Sequence, residues 1–385
     1  MHGHPFKKDR LRDESVHGST HSGGTKHCRS SGAATMTVVS QRIARAGRRA
    51  TWSNTVLWSA ALIVVLLASM TVAVTIGPAH LSMGDVWASL AHHAGLGESG
   101  LTRIEDGIVW QIRLPRALTA AAVGAGLAVS GAVMQALTRN SLADPFLLGL
   151  SSGASFGAVL VLILGASIVL PLAAFVGSLT AMTITLLLAR SLGIITPTRT
   201  VLAGLAVSSL AGALTSLVIF WSATGDSYRE ILNWLLGSLA GADWSAVAIA
   251  VGAMLVIGVP VFASGRILDA FAYGDTAAAA LGVHVPRARW GLLTATALLT
   301  GAMVAVSGSI GFVGLVLPNA VRLVVGAQHR LLLPLSAIVG AIFMVWVDTA
   351  ARNLFAPREL PVGIITVLIG APIFALLLWR NRGNA

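Results

Sequence analysis

From residue 55 onward the chain is dominated by uncharged apolar runs of about twenty residues, each closed by a short polar or Gly/Pro-rich break. At 1.5 Å per residue such a run, taken as a helix, crosses a hydrocarbon core of about 30 Å. Ten runs are legible, at about 55–76, 117–137, 152–168, 171–189, 200–221, 245–263, 290–307, 311–326, 332–351 and 362–379. The region Gly149 to Ala189 is too long for one crossing, so it is divided at Gly165 to Pro171, where a turn is expected. The eighth run is short and Gly/Pro-rich, which fits a half-helix. The pattern predicts an all-α polytopic membrane protein in which residues 51–385 form one transmembrane domain.

Two connections between runs carry patterns of their own. In Gly77 to Gln111, the segment Ser82 to His93 places Met83, Val86, Trp87, Leu90 and Ala94 at helical spacing and predicts a short amphipathic helix at a membrane or partner surface. In 264–289, the spacing predicts a turn, a helix from about Thr276 to Leu281, a break at Gly282 and re-entry through Pro286. The second run lies inside the longest coherent stretch, Arg113 to Gly153. Two arginines open it, Gly124, Gly126, Ala128, Ser130 and Gly131 permit close helix contact, and Asn140 to Pro145 forms a polar turn.

Composition sharpens this picture: 55% of the 385 residues are hydrophobic and 11% charged, where a soluble domain carries about 25% charged residues. Net charge is +11, and ten of the 26 Lys/Arg lie in the first fifty residues against three acids. A basic segment before the first span is a positive-inside signal, which favours a cytoplasmic N-terminus over nucleic-acid binding. Residues 1–50, rich in Ser, Gly and His, read as a disordered tail. Ten crossings return the C-terminus to the same side. Loops expected inside then hold ten arginines against three aspartates, and those outside hold six against nine acids. Trp110, Trp221 and Trp244 fall at one interface, Trp290 and Trp379 at the other.

Several chemistries are excluded. All three lysines lie in the tail and no G-x-x-x-x-G-K-[ST] loop occurs, so the chain has no P-loop for ATP. The expected spans are nearly free of acids and histidines, which argues against ion coupling; Asp348 and Arg352, four apart on one helix, read as a local pair. Cys28 stands alone, and no Cys/His/Asp grouping has metal or nucleophile spacing, so neither cofactor, metal nor catalysis is expected. The octets Gly124 to Gly131 and Gly301 to Gly308 match at six of eight positions and run in opposite senses in this topology, as an inverted repeat would.

Several motifs in order give the sequence a family resemblance. They are the Arg113 to Gly153 stretch; Val201 to Gly204; Gly274-Asp275 with Leu281-Gly282-Val283; Gly308 to Pro318; Asp348 with Arg352; Glu359 to Gly363; and Gly370 to Phe374. Together, over roughly residues 55–380, they resemble the FecCD-type permeases, membrane subunits of bacterial ABC importers for iron-siderophores, haem and cobalamin. The resemblance implies the type II importer permease architecture, a pair of permease subunits (identical or similar), two separate ATPase subunits and an extracytoplasmic substrate-binding protein.

It also implies roles by position. Arg113, Arg116 and Arg352 would meet carboxylates of the binding protein, a task suited to guanidinium forks. Asn140, Leu142 and Thr198 would narrow the cytoplasmic mouth. Gly274, Asp275, Leu281 and Gly282 would belong to the loop that sits in a groove of the ATPase. Ser141 stands where the family often has proline, Asp275 where it often has glutamate, and Asn319 where histidine is common after Pro318. The expected cargo is a ferric-siderophore, with cobalamin or haem as the alternative within the family and an ion-coupled secondary transporter as the alternative of another class.

Overall fold

A computed structural model describes residues 58–79, 81–166, 170–191, 196–222, 225–355 and 357–381; the basic tail and the start of the first run lie outside them. Described residues fold almost entirely as helix. The apolar runs become α1 (Trp58–Thr75), α4 (Leu114–Thr138), α5 (Leu150–Ile163), α6 (Leu170–Ser191), α7 (Pro197–Ser222), α9 (Trp244–Ala253), α13 (Val285–Ser307), α14 (Val313–Val325), α15 (His329–Asn353) and α16 (Val362–Asn381). Seven described segments are long and apolar enough to cross a membrane, and three shorter apolar helices complete the ten expected runs.

The connecting helices are α2 (Met83–His93), α3 (Arg103–Gly107), α8 (Gly225–Leu235), α10 (Val259–Ala263), α11 (Gly265–Ala272) and α12 (Asp275–Ala280). α2 begins where the pattern placed it, because Ser82 and Asp85 form a reciprocal capping box that satisfies two otherwise unpaired N–H groups. These bonds to Ser82 hold the Asp85 carboxyl below its ordinary range.

The second span starts earlier than hydropathy indicates. Thr102 and Glu105 form another capping box, α3 follows, and a π-helical section, Ile108–Arg113, carries the chain into α4. Residues 103–111, expected as loop, are therefore helical. Their polar first turn hides them from a hydropathy window, while the cap fixes their start. At this level His93 stacks on Trp110 at 3.9 Å, and Trp110 leans on Trp244 at 4.9 Å, joining two of the aromatics expected at one interface.

α8 and α11 are also absent from the sequence expectation. Both are amphipathic helices too short and too polar to register as spans. α8 buries Ile231 against Val159 and Leu162 of α5, and α11 buries Leu268 and Phe271 in the main core.

At the centre stands α4, buried along nearly its whole length. Its glycines decide what can approach. A Cβ at Gly124 would collide with the Gly340 carbonyl of α15, and one at Gly131 with the Gly314 carbonyl of α14. Backbone-to-backbone contact of this kind replaces side-chain packing where lipid offers no hydrophobic drive between helices. The matching octets meet as well, since a Cβ on Gly126 would strike Met303 of α13. Helices α6, α7 and α9 keep much of their apolar surface outward, as lipid-facing segments do.

Candidate functional site

Most of the side chains expected to matter for function lie at the two ends of α4. At its N-terminal end Arg113 and Arg116 are each only 4% exposed. Arg113 donates through Nη1 to the carbonyls of Val74 (2.8 Å) and Thr75 (3.1 Å) and through Nη2 to that of Ala79 (3.0 Å). It thereby occupies orphan carbonyls at the C-terminus of α1, where a cation is favoured. Arg116 donates through Nε to both carboxylate oxygens of Asp348, at 2.9 and 3.1 Å, and through Nη1 to Glu359 at 2.8 Å. The Arg352 guanidinium lies 3.4 Å from Asp348 and donates through Nη2 to the Ala73 carbonyl at 3.1 Å.

Three arginines and two carboxylates thus form one cluster joining α1, α4, α15 and the segment before α16. The expected Asp348–Arg352 pair is present, yet Asp348, 1% exposed, has its shorter contacts with Arg116, 232 residues away in sequence. Spacing along the chain cannot reveal such a pair. Glu359 is the most open member, with its side chain 46% exposed. Its signal was the Glu359-Leu360-Pro361 motif, read for the family and not for this contact.

At the other end, α4 stops because Arg139 takes a left-handed conformation (φ 51°), unusual for a residue with a Cβ. Backbone bonds from Arg139 to Ala136 and from Asn140 to Gln135 close the helix in Schellman fashion. Asn140 then accepts the Leu142 N–H through Oδ1 at 2.9 Å, and its carbonyl accepts from Ala143 N. Asp144 caps the 3-10 turn Pro145–Leu148 by accepting from Phe146 N at 2.8 Å. Burial pushes the Asp144 carboxyl up to about 6, against the lowering effect of that bond. Leu142 projects with 43% exposure. Thr198 is exposed in the first turn of α7, and the same helix meets the turn region where Gly204 packs on the Leu147 carbonyl. Asn140 and Leu142 share one turn; Thr198 belongs to a separate element, the first turn of α7.

The third group forms a knob. Gly274 (φ 98°) precedes α12 and Gly282 (φ 84°) follows it, both in conformations that favour glycine. Three backbone bonds, from Leu281, Gly282 and Val283 to Ala277, Ala279 and Ala278, close its C-terminus. Ala278 is buried beneath, Asp275 pairs with Arg289 at 2.7 Å, and Arg289 lies over the Phe271 ring at 5.4 Å. Tyr273 and Leu281 stand out at 80% and 70% exposure. The result is a short helix braced from below, with exposed apolar side chains flanking it. α11 is held by Asp269, which accepts the His329 N–H at 2.7 Å and lies 2.9 Å from its Nδ1.

Apolar helices packed around a buried central helix, with charge and amide clusters at that helix's two ends and no group of metal-ligating residues among the described ones, make a polytopic membrane body. Residues 48–380 match the FecCD transport family, and the chain belongs to it. It is 40% identical over 314 residues to the vitamin B12 import system permease protein BtuC of Vibrio cholerae, covering 79% of this chain and 90% of that protein. It is 43% identical over 282 residues to the hemin transport system permease protein HmuU of Yersinia pestis (71% and 84% covered). The Fe(3+) dicitrate transport system permease protein FecD of Escherichia coli is 42% identical over 279 residues (71% and 86%). A solved ABC transporter in an inward-facing conformation, described as of metal-chelate type, aligns with TM-score 0.74 and 32% identity, over 84% of this chain and 98% of that one.

The chain is therefore a type II ABC importer permease, a transport subunit and not an enzyme. Family members work with an ATPase and a binding protein, which accounts for the missing P-loop and removes the ion-coupled alternative.

Proposed function

We propose that this chain is the membrane passage of an importer that brings a ferric-siderophore into the cytoplasm, paired with a second copy or a similar permease chain. Support for a metal–organic cargo comes from the relatives, whose names specify vitamin B12, hemin and Fe(3+) dicitrate. All three cargoes are metal chelates, so the chain has no need to ligate a bare ion. Cobalamin is the second reading, favoured by the vitamin B12 permease among the relatives.

The observation that carries the reading is the contrast between the braced, apolar-tipped α12 and the enclosed charge cluster at opposite ends of α4. α12, with Gly274, Asp275, Leu281 and Gly282, is the contact for the ATPase at the cytoplasmic face. The cluster of Arg113, Arg116 and Arg352 forms the base of the binding-protein face, where Glu359 is its most accessible charge. Arg113 and Arg116 act from beneath that face, since their guanidiniums are committed to α1 carbonyls and to Asp348. Asn140, Leu142 and Thr198 narrow the inner mouth. Both termini lie in the cytoplasm, the tail with them, and lipid surrounds the outer helices of the bundle.

Uptake of labelled ferric-siderophore, with cobalamin and hemin as parallel cargoes, identifies the substrate in cells expressing the chain with its binding protein and ATPase. Leu281→Asp is expected to abolish both uptake and co-purification of the ATPase; retention of both would refute the coupling role. Arg352→Glu is expected to weaken binding-protein capture, and unchanged affinity would remove that arginine from the docking face.

A further inference from the structure

Beyond the contacts described so far, the turn after α4 is tied to α14 by a chain of side-chain hydrogen bonds. Gln135, 3% exposed in the last turns of α4, donates through Nε2 to the carbonyls of Gly314 and Leu315, both at 3.2 Å. Its Oε1 accepts from Arg322 Nη2 at 2.9 Å, and Arg322 Nη1 donates to Asn319 Oδ1 at 2.7 Å. Asn319 Nδ2 completes the path, donating to the Leu315 carbonyl at 2.9 Å and to the Ser141 carbonyl at 2.7 Å.

Each member fixes the next. With the Arg322 donor on one side and two carbonyls on the other, the Asn319 amide has one satisfied orientation; flipped, it would set donor against donor and oxygen against oxygen. The bond to Ser141 is therefore aimed by Arg322, which is itself aimed by Gln135. Helix packing does not depend on it, because the contact of Gly131 with Gly314 already joins α4 to α14. What the last bond holds is the turn. On the turn's other flank, the Arg139 guanidinium lies 3.2 Å from where a Cβ on Gly274 would be, next to α12.

We propose that Asn319 is a positioning residue for the inner mouth: its amide, oriented by Arg322 and Gln135, latches the Ser141 carbonyl and holds Asn140 to Asp144 in place. Breaking that one bond frees the turn while α4 and α14 stay packed. The proposal rests on the reading of this turn as the inner constriction of an importer.

Cysteine accessibility in the full chain tests it. Cys28 is the only cysteine, so a Cys28→Ser background carrying Ala143→Cys reports on the turn, where Ala143 is 1% exposed. In purified protein, Asn319→Asp, which keeps the shape and the Arg322 contact but sets an oxygen against Ser141, is expected to speed labelling by a charged maleimide about tenfold. Asn319→Ala should do the same, and Arg322→Met, which leaves the amide unaimed, should give a smaller increase. Unchanged protection in both Asn319 variants, with elution and melting like the parent, overturns the latch. Failure of both to fold overturns it equally, because the bond would then hold more than the turn. In proteoliposomes with binding protein and ATPase, the latch predicts cargo leak in the absence of ATP. A parent that shows no ATP-driven uptake refutes the importer reading, whereas faster labelling without leak refutes the gating role alone.

Discussion

The two ends of α4 are secured by different chemistry. At the Arg116 end, charge is buried: guanidiniums meet carboxylates and helix-end carbonyls from four segments, and Asp348 is 1% exposed. At the Asn140 end the ties are amide bonds and one arginine, and the last of them reaches only the backbone of a surface turn. Removing one partner of a buried ion pair leaves a charge stranded, whereas a single amide bond exchanges at small net cost. The first end is made to stay assembled. The second can change its contacts without dismantling the bundle.

The largest effect should come from Arg116→Met, which strips Asp348 of its nearest partner and is expected to cost about 3–5 kcal/mol, read as a fall in melting temperature and folded yield in detergent. Adding Asp348→Asn should restore part of the loss, because the buried carboxylate goes with it while Arg352 keeps its bond to the Ala73 carbonyl. Equal damage in single and double variants would show that the cluster is held by shape instead of charge. Next comes Gln135→Leu, which removes one acceptor from Arg322 and the side-chain donor to the Gly314 carbonyl, while Asn319 still bonds Arg322 and the Leu315 carbonyl, at about 1–3 kcal/mol. If it melts as low as Arg116→Met, the contrast between the ends fails.

The smallest effect is a pH slope. The Asp144 carboxyl is pushed up to about 6 by burial, above an ordinary value of about 3.9. In that window the folded chain binds a proton that the unfolded chain does not, so stability is full below it and falls as pH rises through it. Asp144→Asn should flatten the decline of melting temperature between pH about 4 and about 6. An unchanged slope would place its origin elsewhere.

Much of this molecule was legible in its hydropathy, since lipid forces every crossing to be long, apolar and helical. α2 was legible for a second reason, its 3.6-residue period and Ser82 cap. α8 and α11 were not, because a short amphipathic helix on another helix leaves neither a long run nor a flanking break. The site divides in the same way. Gly274 and Gly282 bracket α12 through local backbone demands that a sequence displays. The partners of Arg116 and Asn319 lie 232 and 178 residues away and depend on which helices meet. Even the arginines placed by family resemblance gave no sign that Arg113 and Arg116 would be enclosed.

Between α13 and α14 the chain runs without helix from Gly308 to Phe312, and α14 itself has 13 residues, about 20 Å of rise against a hydrocarbon slab of about 30 Å. The remaining depth is filled by irregular backbone, which acyl chains cannot solvate. Here it is wrapped by protein: Ser238 N donates to the Ser307 carbonyl, Ser151 bonds Ser309 at 2.6 Å, and Gly237 and Gly363 crowd the Ser309 carbonyl. Across this patch the insulating thickness of the membrane is made of peptide groups and hydroxyls instead of hydrocarbon. Because these groups find their partners within the protein, the chain can carry non-helical backbone here without presenting it to lipid.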